Sequence, residues 1–457
     1  MKINKLGTLG ACTLALFFTA ASSYAAVSVK EADRLKSDLT PLGGERAGNG
    51  SDIPPWRGGL TLPPLGYTKA GQKHIDPFPQ DKPLFVITAQ NMKQYEKYLT
   101  EGQKGLFKTY PNSFTMPIYK TRRTAAAPEW VYENTYKNAI RAELVQGGNG
   151  VEYAFGGIAF PIVKNGVEAV WNHLTRWRGV YLIQNATEVA VQTNGSFSPI
   201  TVEREIEFNY YRQDKGIKGL NNTLFYYIST TKAPARLAGG AILLQEPLNQ
   251  MDTPRQAWGY NAGQRRVRLA PNITYDTPVA AADGLRYVDE TDIYSGSPDR
   301  YNWELKGKKE MYIPYNNYRL KSGDIKYKEL LQPGHINPEY TRYEKHRVWV
   351  VEGVVKSDVR HSYGKRVFYL DEDTWSIVAT DIYDNNGNLW RTSMAYMKTY
   401  YEVPATWSGL DVFHDLLSKR YHVQLLDNEE TGTIDYSNSP PGERYFTPAE
   451  LRRRGKR

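Results

Sequence analysis

Seven histidines are the first residues to weigh for chemistry: His74, His173, His335, His346, His361, His414 and His422. No two stand in the HxxxH or HExxH spacing that sets two imidazoles on one helix face to hold zinc. His346 and His361 flank a predicted strand pair and can meet in space, where a structural or surface role outweighs metal ligation. His173 sits beside Trp171 in a predicted helix and is read as capping a polar group at a helix–sheet interface. The glycines at 147–150 and 156–157 lack the GxxxxGK[ST] or strand–GxGxxG–helix context that cradles phosphate, so they read as turns or close approaches. Ser408-Gly409-Leu410 is no nucleophile elbow, which requires GxSxG. Acids near bases, as in Tyr340 to Arg347 and then Asp358 and Arg360, are explained by buried pairs that support a sheet. Glycoside hydrolysis needs two carboxylates about 5 to 9.5 Å apart in space, which a sequence does not show. The expectation is a non-enzyme with no cofactor and no metal site.

The larger anomaly is aromatic: 34 Tyr and 10 Trp. They cluster at Tyr210-Tyr211, Tyr226-Tyr227, Tyr312 to Tyr318 and Tyr396 to Tyr401. Tyrosine joins a flat apolar ring to a hydrogen-bonding edge, which suits a cavity wall. It also fills ordinary strand positions, and stacking on sugars is a third use.

Helical spacing appears over 29–39, over 89–104 (Met92, Tyr95 and Leu99, with Gly102 after them) and most strongly over 165–177. In the last, Val167, Val170, Trp171, Leu174 and Trp177 line one face. Elsewhere period two prevails. Residues 201–211 set Val202, Arg204, Ile206 and Phe208 against Glu203, Glu205, Glu207 and Asn209. Strands are also expected at 224–229, 241–245, 348–355, 365–370, 375–383 and 389–401. The last four lack intervening helices, so they form an antiparallel meander. The fold class is mainly β: a large curved antiparallel sheet, an incomplete barrel, covered by helices. The helix at 167–177 is the natural cover over the concave side.

Before this body, residues 39–67 are dense in Gly and Pro and cannot make a helix or central strand. Ile53, Trp56 and Leu60 would anchor this segment as an extended arm over the body, with Leu65 and Tyr67 beyond them; the alternative is a floppy leader. At the start, Lys2 and Lys5, an apolar run from Leu6 to Ala21 and the small-residue site Ser23-Tyr24-Ala25 have the layout of a secretory signal peptide. Leu9-Gly10-Ala11-Cys12 has the local look of a lipobox, but the greasiest residues follow that cysteine. Residues 1–25 are therefore read as a signal peptide, 26–88 as N-terminal helix plus arm, and 89–457 as one domain with long insertions. Cys12 is the one cysteine, so disulfides and thiolate chemistry are excluded after cleavage. The formal charge of +9 is interspersed with acids and forms no basic stripe, which argues against nucleic acid.

Several segments together resemble a proteobacterial periplasmic family, the domain of unknown function numbered 1329. They are Leu39 to Trp56 (LTPLGGERAGNGSDIPPW), Phe160 to Gly179 (FPIVKNGVEAVWNHLTRWRG), Gly307 to Leu320 (GKKEMYIPYNNYRL), and pieces of Gly334 to Arg391 such as HINPEYTRYEKHRVWVVEG and KRVFYLDEDTWSI. The resemblance implies a fold similar to the lipoprotein carriers LolA and LolB, with helices plugging an incomplete barrel around an apolar cavity. It also implies partners: an inner-membrane transporter of the resistance-nodulation-division type and an outer-membrane protein. It carries over no catalytic residue.

The function expected is a periplasmic carrier or adaptor for a lipid or other hydrophobic molecule. The alternatives are a structural subunit that docks through the arm at Pro54 to Pro64, and a carbohydrate-binding or carbohydrate-active protein. Cavity candidates are Val167, Val170, Trp171 and Leu174 on the helix, then Phe208, Phe225, Tyr227, Val350, Phe368 and Trp375 on the sheet. The excursions at 39–88 and 230–340 would fill or roof the cavity.

Overall fold

A computed structural model describes residues 26–270, 273 and 275–454; the expected signal peptide lies outside them. The chain enters through α1 (Val29–Ala32), where the Ser28 side chain accepts from the Glu31 N–H. A 3-10 turn, Asp33–Lys36, ends this helix short of the expected residue 39. An irregular arm then leads to β1 (Phe85–Ile87), α2 (Glu101–Thr109), β2 (Met116–Ile118), α3 (Glu129–Arg141), the ribbon β3 (Glu143–Val145) and β4 (Gly150–Glu152), and α4 (Gly166–Thr175).

Six strands follow: β5 (Tyr181–Val191), β6 (Ile200–Glu207), β7 (Thr223–Ala233), β8 (Ala241–Pro247), β9 (Gln256–Asn261) and β10 (Arg266–Leu269). After a long connection come β11 (Tyr301–Pro314), α5 (Tyr327–Leu330) and the meander β12 (Tyr343–Val355), β13 (Lys365–Asp371), β14 (Ile377–Tyr383), β15 (Leu389–Tyr400), β16 (Ala405–Asp415) and β17 (Arg420–Leu426). The C-terminal α6 is Pro448–Arg454.

Fifteen strands form one sheet in the order β1-β2-β12-β13-β14-β15-β16-β17-β5-β6-β7-β8-β9-β10, with β11 paired to β12. The ladders are antiparallel except where Tyr343 of β12 meets Ile118 of β2. Among the described residues no ladder joins β10 to β11, so the sheet stays an incomplete barrel surrounded by helices. At Gly307 the β11 register shifts, and a φ of +96° in open space makes conformation the reason for glycine there.

The helix expected over 89–104 is two pieces. Met92–Tyr98 is 3-10, and Thr100 then starts α2 with a capping box to Gln103. Gly102 lies inside α2 rather than ending it: a Cβ there would stand 2.0 Å from Thr392 Oγ1, so glycine lets α2 press on the sheet. The Gly102 N–H donates to Asp381 Oδ1 at 2.7 Å.

The arm lies on the body. Ile53 is buried, the Trp56 indole donates to Ala125 O at 2.8 Å, and the Leu60 N–H donates to Thr124 O. Arg123 clamps its base, donating to Glu45 O and, bidentately, to Asp373. The tyrosines mostly fill core; among the described residues Tyr153 is the one aromatic in the set of exposed large hydrophobics.

Candidate functional site

On β6 the alternation turns Val202, Arg204 and Ile206 to one side, and on β7 Phe225, Tyr227 and Ser229 share it. Period two sends Tyr226 and Ile228 the other way, against Phe446 and the Leu451 of α6. The first side faces a cavity of about 480 Å³. Its floor is completed by Ile242 and Leu244 of β8 and by Trp407 and Asp411 of β16. Its roof is no α-helix but the segment from Thr277 to Ser295, irregular apart from two short 3-10 turns at Ala280–Ala282 and Val288–Glu290.

That roof is fastened by charge. Asp292 receives Arg176 at 2.6 Å, Arg178 at 2.7 Å and the Trp407 indole at 2.8 Å. Burial opposes ionisation of Asp292, but the two arginines outweigh it and hold the carboxyl far below the usual range. Burial and the neighbouring Arg176 pull Arg178 down to about 10. Asp292 and Ile293 adopt positive φ, at 56° and 66°, a strained pair that these bonds over-determine. Further along, Asp289 meets Arg366 at 2.6 Å and His361 at 3.0 Å.

His173 ties α4 to both roof and sheet. Its Nδ1 accepts from the Ile377 N–H, and its Nε2 lies 3.0 Å from Asp292 O and 3.1 Å from Tyr294 O. That network assigns the neutral Nε2–H tautomer. Burial, then Arg176, keep its pKa well below the ordinary value. It is the interface cap expected from the sequence.

Of the ten candidate residues, Leu174, Phe208, Phe225 and Tyr227 lie on the cavity wall. Of the other six, Val170, Trp171, Val350, Phe368 and Trp375 are buried in the core away from the cavity wall, and Val167 is partly buried against that core. Val170 and Trp171 are buried on α4 where it meets β11 and β12, and the Trp171 indole donates to Gly148 O at 2.8 Å. Val167 abuts Gly148. Trp375 stacks on Trp349 with centroids 6.1 Å apart and donates to Leu42 O; Phe368 packs on Tyr294 and Trp303; Val350 is core. The expected lid helix is thus corrected. α4 is pressed onto strands because Gly166 admits the β11 backbone, where a Cβ would meet Glu304 at 3.0 Å, and only its last turn reaches the cavity. The roof falls within the excursion at 230–340 that was expected to fill or roof the cavity, though none of its residues was named, and Trp407 was missed; Arg204 stood in the alternation without being singled out.

Two other places gather polar groups. His346, Asp371 and Asp373 bring ligand atoms within 4.8 Å of one another. Arg123 occupies Asp373 in holding the arm, Tyr315 and Thr374 donate to Asp371 Oδ2, and Glu344 meets His346 at 3.1 Å, which leaves Asp371 Oδ1 as the buried oxygen of this group without a partner among the described residues. His361 has its own partners, and the two histidines serve separate networks. A depression of about 560 Å³ at Lys356, Ser357, Arg360 and Gly364 is predominantly polar.

Comparison with known proteins adds the following. Residues 86–452 match the family described as "Protein of unknown function (DUF1329)". An uncharacterized protein of Pseudomonas aeruginosa is 45% identical over 458 residues, with 100% of both chains covered. A Vibrio parahaemolyticus structure described as an outer membrane lipoprotein-sorting protein domain gives a TM-score of 0.43 at 14% identity, covering 63% of this chain and 98% of its own. A DUF1329 family protein from Desulfovibrio piger gives 0.39 at 13%, covering 60% and 92%. A LolA superfamily protein from Nitrosomonas europaea gives 0.37 at 12%, covering 62% and 98%. Among the described residues no helix is long and apolar enough to cross a membrane.

Proposed function

This chain belongs to the DUF1329 family, a family of unknown function, and we propose that it is a periplasmic, non-enzymatic carrier of a hydrophobic molecule held under the 277–295 roof. One observation carries the reading: a void of about 480 Å³ whose wall surface is mostly aromatic and aliphatic, with four arginines, three acids and several hydroxyl groups placed around it. Ligand sites commonly have about 300 to 1,000 Å³ and a mostly apolar wall. Covering apolar surface of a guest there removes about 25 cal/mol per Å² of unfavourable hydration. The compartment proposed here draws on the signal-like pattern of the N-terminal residues in the sequence. The partners proposed remain an envelope transporter of the resistance-nodulation-division type and an outer-membrane protein.

The test is native purification from the periplasm, solvent extraction and mass spectrometry. A hydrophobic compound at about one per chain supports the reading. Clean protein that also leaves the fluorescence of 1-N-phenylnaphthylamine unchanged removes it.

A second reading, an interaction subunit, draws on the arm, where Leu62 and Leu65 are 75% and 101% exposed beside Pro63 and Pro64. Such apolar side chains on a semi-rigid strap suit a partner groove. Replacing both by Asp would release a co-purifying partner without changing probe binding.

A further inference from the structure

Four arginines reach the cavity wall, and three already have an acid. Arg178 meets Asp292 at 2.7 Å, Arg255 meets Glu246 at 2.5 Å, and Arg286 meets Glu188 at 3.6 Å. Arg204 is different. Its Nε and Nη2 both donate to the Oε1 of Gln184, at 2.9 and 2.5 Å, and Gln184 is neutral and buried. Among the described residues no carboxylate lies within ion-pair distance of Arg204, and its Nη1 donates to no protein group.

The placement is as informative as the missing partner. Arg204 stands between Val202 and Ile206 on the inward face of β6, where an aliphatic residue would continue the pattern. Its guanidinium lies 5.4 Å from the Trp407 ring centroid, and Gln184 grips one edge of the fork. The remaining edge is therefore oriented before any guest arrives. Asp411 also faces the cavity and feels the charge of Arg204, but it stays beyond ion-pair distance, and Ser408 and Gln424 donate to its two oxygens. A half-buried cation with a neutral partner on an apolar wall is costly unless something neutralises it. A planar fork fixed along one edge suits a carboxylate or phosphate.

We infer that the guest is a single-chain amphiphile with an anionic head, the acid group bound by Arg204 and the hydrocarbon running along Phe208, Phe225 and Tyr227. This deepens the carrier reading and rests on it.

The experiment displaces 1-N-phenylnaphthylamine from the full chain purified from the periplasm, using palmitate, palmitoyl lysophosphatidic acid and neutral hexadecanol. At least one of the two acids should compete at concentrations about tenfold or more below hexadecanol, the worth of one charged hydrogen-bonded contact. Which acid does so tells carboxylate from phosphate. Arg204→Gln should erase that preference while leaving hexadecanol within about twofold, and Arg204→Lys should keep part of it. A thermal melt shows that each variant is folded. Equal competition by acids and alcohol, or a preference that survives Arg204→Gln, overturns the anionic head while leaving the carrier intact. Failure of every probe to bind overturns both.

Discussion

One sheet is covered in two ways. Over β11 and β12 lies α4, whose Gly166 brings helix and strand backbones together and whose Trp171 is sealed in core. Over β6 to β8 lies the coil from 277 to 295, held by ion pairs to Asp289 and Asp292, with a void beneath it. A regular helix offers an apolar stripe that interdigitates with a sheet. A coil must spend its bonds on its own backbone and on fixed charges, so it arches over the strands. Room for a guest follows from the kind of cover.

The largest effect that sharpens this contrast is Trp171→Ala on the packed side. It should cost about 3 to 5 kcal/mol in urea unfolding, because a sealed aromatic leaves an unfilled hole. Loss below about 1 kcal/mol would mean that α4 is not the packed half.

Next comes Asp411 under the cavity, whose carboxyl burial pushes up to about 6. A carboxylic acid with a raised folded pKa binds its proton more tightly folded than unfolded, so its contribution falls as pH rises from about 4 to 6. Asp411→Asn removes that loss. The variant should gain on the wild type across this interval, to the order of 3 kcal/mol at pH 7. A difference in melting stability that does not change with pH would place Asp411 in a wetter setting.

Smaller in stability, but larger in binding, is Leu244→Trp on the cavity wall. Unfolding should shift by less than about 1 kcal/mol, since the ring grows into empty space, while 1-N-phenylnaphthylamine binding should drop about tenfold. Undiminished binding would move the guest elsewhere. On the arm, Trp56→Ala should cost about 1 kcal/mol through the lost bond to Ala125, and hasten proteolysis between α1 and β1.

The meander from β12 to β15 and the helix at 165–177 were legible because periodicity and turn residues agreed. The inward set Val202, Arg204, Ile206 and Phe208 was legible too. Glu205 and Glu207 stand on the opposite side of that alternation, yet both are buried, since Arg454, Tyr445 and Arg212 arrive from distant or looping chain. β16 escaped notice because both its faces are covered, which erases alternation. The roof had no period to read. Its position is set by Asp292 meeting Arg176 and Arg178 from α4's end, a long-range match that local spacing does not encode. Hence the site was drawn under the helix with the clearest pattern, the 230–340 excursion entering only as a filler or roof without named residues, while the void lies under part of that excursion.

The most direct measurement is a crystal soaked with a bromine-tagged alkyl carboxylate and recorded at the bromine absorption edge. The account predicts one anomalous peak inside the cavity beside Phe225 and Tyr227, with the head-group density against Arg204. A peak between α4 and the sheet, or no peak in the cavity at saturating soak, would contradict it.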